Sequence, residues 1–385
     1  MTILILLTAM GFALVVTPLV RQLALRLRFV AVPKSNRAHK TVTPMMGGVA
    51  LYLGFTVIVL ALTAGLGLIS TNDQIDSTLA LRELLIIFAC GTAFAAIGLW
   101  DDWRDLNSRV KLGLQFPPVI LLTLTTSVQT SLPLPDILNV VITICWVLYV
   151  VNALNYMDNM DGVAAMAAGI AGMFFIVITI INEQYLVAAL AAAVSGVSFG
   201  FLRYNLFETQ RKIFMGDAGA LFLGFLLAVI GLKLTFPAES PWVTWPVPVL
   251  VLGVPIFDTG LVFISRVRRG QRFLDGGTDH LSHRLSRLGF DRMGVPLAIG
   301  MLGSTLGAMA IIIMHSSLTD SLLIQVFVAG CALYLLYKIE LNATYRFITG
   351  KPAPTAPLAA DSTEAAASTE AAAGPPREAT IIDSD

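Results

Sequence analysis

Apolar runs of about twenty residues recur along this chain, each closed by a short polar stretch. A helix needs about 20 apolar residues to cross the hydrocarbon core of a bilayer. Eleven runs reach that length: about 2–20, 45–65, 82–100, 110–128, 133–151, 163–181, 184–202, 217–236, 242–264, 294–314 and 318–338. Several contain Gly or Pro, notably Pro117-Pro118, Pro246, Pro248 and Pro255. Such breaks are tolerated where neighbouring helices satisfy the freed backbone groups. The pattern predicts an all-α polytopic membrane protein with about 11 transmembrane helices.

The polar stretch between the fifth and sixth runs, residues 152–162, reads Asn-Ala-Leu-Asn-Tyr-Met-Asp-Asn-Met-Asp-Gly. Asn152, Asn155, Asp158 and Asp161 recur at every third position. On a continuing helix, 152/155 and 158/161 are surface neighbours. Polar groups near membrane depth are costly, so this cluster is a candidate site. The competing reading is a loop that caps two helices.

The loops alternate in charge. All but two of the 25 Lys and Arg residues fall on one face, the exceptions being Arg82 and Lys233. Both lie at helix ends, where a long side chain can snorkel to the interface. The positive-inside rule makes the basic face cytoplasmic. An odd number of spans then places the N-terminus outside and the C-terminus in the cytoplasm. Only 13% of residues are charged and 56% are hydrophobic, with zero formal net charge, well below the roughly 25% charged residues of a soluble domain. Nothing points to nucleic acid. The cysteines Cys90, Cys145 and Cys331 lie inside apolar runs and read as small hydrophobes. The first run is followed by arginines, not a small-residue cleavage site, and reads as a retained span. Residues 1–340 form the polytopic domain; 341–385, low in complexity from 351, read as a disordered cytoplasmic tail.

Every other polar cluster also lies on the basic face. The first loop holds Pro33 to Lys40, then Gly47-Gly48, a pair that permits close approach of a ligand or another helix. Asp101-Asp102 close the third run, where acids oppose the helix dipole. They suit a metal or a proton acceptor, or simply a solvated turn, with Lys111 available to an anion. Phe214-Met215-Gly216-Asp217 leads into the eighth run. There Asp217 is placed for N-capping, and glycine-flanked backbone N–H groups are placed for a phosphate. The long ninth loop carries Arg266, Arg268, Arg269 and Arg272, then Asp279 to Arg284. His280, His283 and Arg284 fit one face of a short helix, a clamp for pyrophosphate or sugar. Asp258, inside the ninth run, reads equally as site support or helix packing.

Together these motifs resemble the polyprenyl-phosphate N-acetylhexosamine-1-phosphate transferases, in family order from about residue 30 to 340. The chain looks most like the bacterial MraY-like (glycosyltransferase family 4) branch that starts O-antigen, enterobacterial common antigen or teichoic acid assembly. Two departures are visible: Ala31 stands where the family usually has Asp, and Asp158-Asn159-Met160-Asp161-Gly162 replaces Asp-Gly-x-Asp-Gly. The resemblance implies transfer of GlcNAc-1-phosphate, or a related HexNAc-1-phosphate, from a UDP-sugar to undecaprenyl phosphate, releasing UMP. It implies Asn155 and Asp217 as ligands of Mg²⁺, or Mn²⁺ in its place. Phe214 would stack on uracil and Asp161 would hydrogen-bond to it. Lys111 would meet the phosphates, and His280, His283 and Arg284 the sugar or pyrophosphate. Asp101 is the candidate base, with Asp102 and Asp158 supporting. The implied location is the bacterial plasma membrane with the active site on the cytoplasmic face; a homodimer is an open assembly. The rival readings are a phospho-MurNAc-pentapeptide transferase and, from another class, a secondary transporter.

Overall fold

The computed structural model describes residues 1–31, 42–69, 77–130, 132–208, 210–236, 240–272 and 277–341. The first loop's Pro33 to Lys40, Gly276 and the tail from 342 lie outside the described residues. Among those described, helix dominates: α1 (Thr2–Arg26), α2 (Gly47–Ile69), α3 (Ser77–Arg104), α4 (Ser108–Thr125), α5 (Asp136–Met157), α6 (Val163–Ile181) and α7 (Tyr185–Leu202). A π-helical turn, Arg203–Phe207, extends α7 and precedes α8 (Gly216–Leu232). Then follow α9 (Pro241–Thr244), α10 (Pro246–Val251), α11 (Gly253–Arg268), α12 (Leu281–Arg287), α13 (Gly294–Ile313) and α14 (Leu318–Leu336), which ends in a second π-helical turn, Tyr337–Leu341. The only described strands are β1 (Val30–Ala31) and β2 (Thr43–Pro44), an antiparallel pair.

Each of the eleven apolar runs contains helix, but not eleven uniform spans. Among the described residues, eight helices are long and apolar enough to cross a membrane. A ninth span arises if the bent pair Pro241–Val251 and Gly253–Arg268 is counted as one. That pair turns by 75° at Leu252. The run around 242–264, expected as one span, is therefore broken, and its prolines are the physical cause, since each removes a backbone donor and crowds the preceding turn. The other two runs hold shorter or more polar helices. α8 has 17 residues, and α4 carries Arg109, Lys111 and Gln115 within its 18.

The centre of the bundle is α7 and α8, buried along nearly their whole lengths. Small residues let backbones approach there, as membrane packing favours: a side chain at Gly196 or Gly200 would strike the backbone of α1, and one at Gly224 the backbone of α5. At the periphery, Ser321 is the only buried residue of α14, and its hydroxyl donates to the Val243 carbonyl.

Lys233 does more than snorkel. Its ammonium lies 2.7 Å from Glu83 Oε2 and 3.2 Å from Ser127 Oγ, tying the far ends of α3, α4 and α8 together.

Candidate functional site

The other ends of the same three helices meet α5 in a second polar knot. α3 ends just after Asp101-Asp102, α4 starts at Ser108 under an Asn107 cap, and α8 starts at Gly216. Asp102 accepts hydrogen bonds from the backbone N–H groups of Asp217 (2.9 Å) and Ala218 (3.1 Å). A carboxylate from α3 thus satisfies the first turn of α8 and complements its dipole. This corrects two sequence expectations. Asp217 does not cap its own helix, and those N–H groups do not await a phosphate.

Freed from capping, the Asp217 carboxylate accepts from Asn155 Nδ2 at 2.8 Å and pairs with the Lys111 ammonium. Lys111 also reaches Asp101 Oδ2 at 2.8 Å and Asn155 Oδ1 at 2.9 Å. Asp101 Oδ1 accepts from Leu106 N–H at 2.8 Å, which closes the turn between α3 and α4. Three side chains thus place oxygens around one cation. Hard oxygen donors of this kind suit Mg²⁺ or Mn²⁺, and the site therefore fits the expected ion. Among the described residues no group of three or more His, Cys, Asp or Glu is arranged to hold a metal. A bound ion would therefore take part of its shell from water or substrate, as Mg²⁺ commonly does.

The glycine pair Gly47-Gly48 proves to serve packing. Gly47 N–H donates to Phe214 O at 2.9 Å and Gly48 N–H to Met215 O at 2.7 Å. A side chain at Gly48 would collide with the backbone at Ala218 and Gly219. Phe214 N–H donates in turn to Pro44 O at 2.9 Å, so the Phe214–Asp217 segment is held by backbone on one side.

A second cluster surrounds Phe214. Lys212 Nζ lies 4.7 Å from the Phe214 ring centroid and 2.6 Å from Asp161 Oδ2. Arg292 Nε is 3.2 Å from the same oxygen. Asn205, buried in the π-helical turn, joins the two chain segments. It accepts from Gly162 N–H at 2.6 Å and donates to Ile213 O at 3.0 Å. Single-turn π-helices often mark functional sites, and Gly162 has the positive φ (76°) that suits glycine. Arg21 of α1 fixes the loop further through the carbonyls of Gln210 and Lys212.

The third cluster is the ninth loop. Asp258, fully buried on α11, accepts from His280 Nδ1 at 2.8 Å and from Leu281 N–H at 2.5 Å. Its role is to anchor the histidine segment to α11. Ser282 Oγ donates to Asn159 Oδ1 at 2.6 Å, which ties α12 to the stretch after α5. His283, whose ring centre is 5.9 Å from that of His280, has no hydrogen-bond partner for Nδ1 among the described residues. Burial, with the neighbouring His280 and Arg287, pushes its pKa down to about 4. Arg284, expected at the sugar or pyrophosphate, is committed to protein groups. It pairs with Glu340 (2.8 Å) and donates to Ser265 Oγ and to the carbonyls of Asp279 and Ile339.

The sequence singled out Asp101, Asp102, Lys111, Asn155 and Asp217, and the fold brings them into one knot. Asp161 and Phe214 meet in the next cluster. His280, His283 and Arg284 share the third. Asp158 caps the end of α5 and takes no side-chain hydrogen bond from another described residue. Asn152 points elsewhere, exchanging amide hydrogen bonds with Gln115 at 2.7 and 3.4 Å. Sequence reasoning missed Lys212, Arg292, Asn205 and Gln115. Only Lys212 carried a signal, a lysine two residues before Phe214.

The same stretch of chain has counterparts among known proteins. Residues 84–235, which hold the first knot and most of the second cluster, match the glycosyl transferase family 4 profile. A probable undecaprenyl-phosphate N-acetylglucosaminyl 1-phosphate transferase of Bacillus subtilis strain 168 is 27% identical over 319 residues, 81% of this chain and 84% of the relative. A decaprenyl-phosphate N-acetylglucosaminephosphotransferase of Mycobacterium leprae is 27% identical over 76% of this chain and 79% of its own length. A phospho-N-acetylmuramoyl-pentapeptide-transferase of Clostridium botulinum (strain Eklund 17B) is 29% identical over 60% of this chain and 74% of its own. The chain is an integral membrane protein and a transferase whose residues 84–235 are similar to glycosyl transferase family 4.

Proposed function

We propose that this enzyme transfers N-acetylglucosamine 1-phosphate, or its galacto epimer, from the UDP-sugar to undecaprenyl phosphate, releasing UMP. The observation that carries the reading is the convergence of Asp101, Asn155 and Asp217 on the Lys111 ammonium at the helix ends. Such a site meets a lipid phosphate in the membrane and a soluble nucleotide at its surface. The names of the Bacillus and Mycobacterium relatives support a polyprenyl phosphate acceptor and an N-acetylglucosamine 1-phosphate group. The charge asymmetry of the loops supports a reading in which this end of the bundle faces the cytoplasm of a bacterial plasma membrane.

In this mechanism an oxygen of the lipid phosphate forms a bond to the sugar-bearing phosphorus of the donor. The bond from that phosphorus to the bridging oxygen breaks, and the oxygen leaves with UMP. Asn155 and Asp217 would hold Mg²⁺, which when bound neutralises charge on the bridging phosphates. Lys111 stands among the same oxygens and turns to the phosphates as they arrive. Asp101 accepts the proton of a lipid phosphate that enters as a monoanion; the dianion, dominant near neutral pH, needs none. Asp102 fixes the start of α8 and so aims Asp217. Phe214 stacks on uracil and Asp161 accepts from its N3–H. His280, anchored by Asp258, and a neutral His283 face the sugar, with Arg284 holding their segment.

The test is UMP release by purified protein given undecaprenyl phosphate and a panel of UDP-sugars. UDP-N-acetylglucosamine or UDP-N-acetylgalactosamine should be turned over and the muramyl-pentapeptide donor should not. Comparable turnover of the pentapeptide donor would establish the alternative that the Clostridium relative suggests. No UMP from any donor would remove the reading altogether. A secondary transporter would distribute its polar groups toward the bilayer midplane. Here they gather at helix ends.

A further inference from the structure

The last helix of the bundle is attached unevenly. Along α14 only Ser321 is buried, and Leu323, Val326, Phe327 and Leu333 turn outward. Packing of its body therefore contributes little to holding it. Its end is the opposite case. Glu340, in the π-helical turn after α14, is only 8% exposed. Its carboxylate pairs with Arg284 at 2.8 Å, accepts from Ser265 Oγ at 3.0 Å and lies 3.5 Å from Arg268 Nη1. Backbone groups join in: Arg268 donates to the Glu340 carbonyl at 3.1 Å and Arg284 to that of Ile339 at 3.2 Å. Beside them, Leu336 and Ile339 pack on the small apolar cluster that includes Leu261 and Leu281. Burying a carboxylate is costly unless it is paired. Here a helix that otherwise buries little carries one inward, and its partners come from α11 and α12, which hold the histidine segment.

We propose that Glu340 is a positioning residue for the sugar end of the donor, acting through Arg284 on His280 and His283. The inference rests on the preceding assignment of those histidines to the sugar. Arg284 follows His283 directly, and its Nε donates at 2.7 Å to the carbonyl of Asp279, the residue before His280. One guanidinium thus closes the segment 279–284 on itself. Asp258 grips that segment from α11, at His280 Nδ1 and Leu281 N–H. Glu340 grips it from the end of α14, at the guanidinium. Ser265 of α11 links the two sides, since its Oγ accepts from Arg284 Nη2 at 2.9 Å and donates to Glu340. Without the Glu340 carboxylate, Arg284 is left buried with its charge unpaired, which is strongly unfavourable. The segment's own carboxylate, Asp279, is already taken by Arg269 at 2.9 Å and Arg266 at 3.6 Å. The guanidinium must then move toward Asp279 or toward water, and either path shifts the two histidines. The last span thereby serves the reaction without touching a substrate.

The experiment uses the full-length enzyme in detergent or nanodiscs. It measures kcat and separate KM values for UDP-N-acetylglucosamine and undecaprenyl phosphate, in wild type, Glu340→Gln, Glu340→Asp, Ser321→Val and His283→Ala. A remote change that misplaces a binding group by about 1 Å can cost about a hundredfold. Glu340→Gln should therefore raise the donor KM by about ten- to a hundredfold, with the acceptor KM within about twofold of wild type. Glu340→Asp keeps the charge but retracts it by one carbon, so the donor KM should rise only about threefold. That variant also carries the test if Glu340→Gln fails to accumulate. Arg284→Met with Glu340→Gln should be no worse than Arg284→Met alone, because both remove one contact. Ser321→Val loosens the other end of α14 and should leave both KM values within about twofold of wild type. A merely destabilised protein would lose active molecules, hence kcat, and keep both KM values. A donor KM unchanged in Glu340→Gln and Glu340→Asp, or donor and acceptor KM raised equally, overturns the proposal. His283→Ala then separates the two readings. A raised donor KM there leaves the histidine assignment standing while the role of Glu340 falls; an unchanged one removes both.

Discussion

The helices α3, α4 and α8 are tied at both ends, and the two ties differ in charge balance. At the far end, Glu83 and Lys233 form a one-to-one ion pair with Ser127 bridging it. At the site end, the carboxylates of Asp101 and Asp217 meet the single ammonium of Lys111, and a third carboxyl, Asp102, accepts from the first turn of α8 beside them. The ties lie 16 to 18 residues apart on each helix, or about 24–27 Å along the axes, slightly less than the hydrocarbon core of a bilayer. Both fix the same helices in register. Only the site end carries surplus negative charge, and a membrane protein keeps such a surplus where it meets a cation or a substrate. A balanced knot locks helices; an unbalanced one leaves chemistry to be done.

Asp217→Asn tests that distinction most severely. The amide keeps the shape and can still exchange a hydrogen bond with Asn155, but it removes the charge. Turnover should fall by orders of magnitude and the Mg²⁺ concentration for half-maximal rate should rise, because hard cations prefer anionic oxygens. The double change Asn155→Ala with Asp217→Asn should cost far less than the sum if both serve one ion. Near-normal rates and unchanged Mg²⁺ dependence, with protein levels preserved, would make Asp217 structural. Asp102→Ala should be the next largest. Losing an N-cap costs about 1 kcal/mol, and misaiming the first turn of α8 should lower kcat by about ten- to a hundredfold. Asp102→Asn, which keeps an acceptor oxygen, should be milder. Equal losses in the two variants would show that charge, not capping, is what Asp102 supplies.

The sequence revealed the knots unequally. Asn155, Lys111 and Asp217 were visible because polar residues at the ends of apolar runs are rare and costly. The fold class was visible for the same reason, since bilayer thickness fixes run length. The pairings were not. Asp102 caps a helix that begins 114 residues later, Lys212 meets Asp161 from 51 residues away, and Asn205 and Gln115 look like ordinary polar residues in helical runs. Lys233 read as a snorkelling lysine because its partner Glu83 lies 150 residues earlier. The break at Leu252 was half legible. The prolines announced strain, but periodicity cannot tell a kinked span from a broken one. Arg284 misled for another reason: a cation near histidines suggests a ligand, while its own partner Glu340 lies at the end of the last span.

The far-end tie should respond differently to mutation. Glu83 and Lys233 are each about four-fifths buried, so removing one leaves the other charge poorly solvated. Glu83→Gln or Lys233→Met should lower stability by about 1–3 kcal/mol. Because the tie is balanced and distant from the reacting groups, the rate per folded molecule should change by less than about threefold. The double variant should be no less stable than either single one. Thermal denaturation in detergent beside active-site-normalised kcat separates these quantities. A large fall in kcat with stability intact would mean that the far end also tunes the chemistry.

The smallest effect concerns Asp158, which lies between the clusters at the end of α5. Burial and the nearby charges of Asp217 and Asp161 push its pKa up to about 8, from about 3.9 in an unfolded chain. The folded state therefore holds a proton that the unfolded state has lost, over roughly pH 4 to 8. Where the native state binds more protons, stability falls as pH rises. The contribution from this protonated carboxyl is complete only below the unfolded value and is lost through the window up to about 8. Asp158→Asn keeps the uncharged shape at every pH. Melting temperatures of wild type should therefore decline between pH 5.5 and 8.5 more steeply than those of the variant, by a few degrees across the range. His283 cannot account for such a decline. With its pKa lowered from 6.5 to about 4, it is the unfolded state that binds the extra proton, and its contribution rises with pH up to about 6.5. Parallel curves for the two proteins would place the carboxyl in water and return Asp158 to an ordinary charged cap.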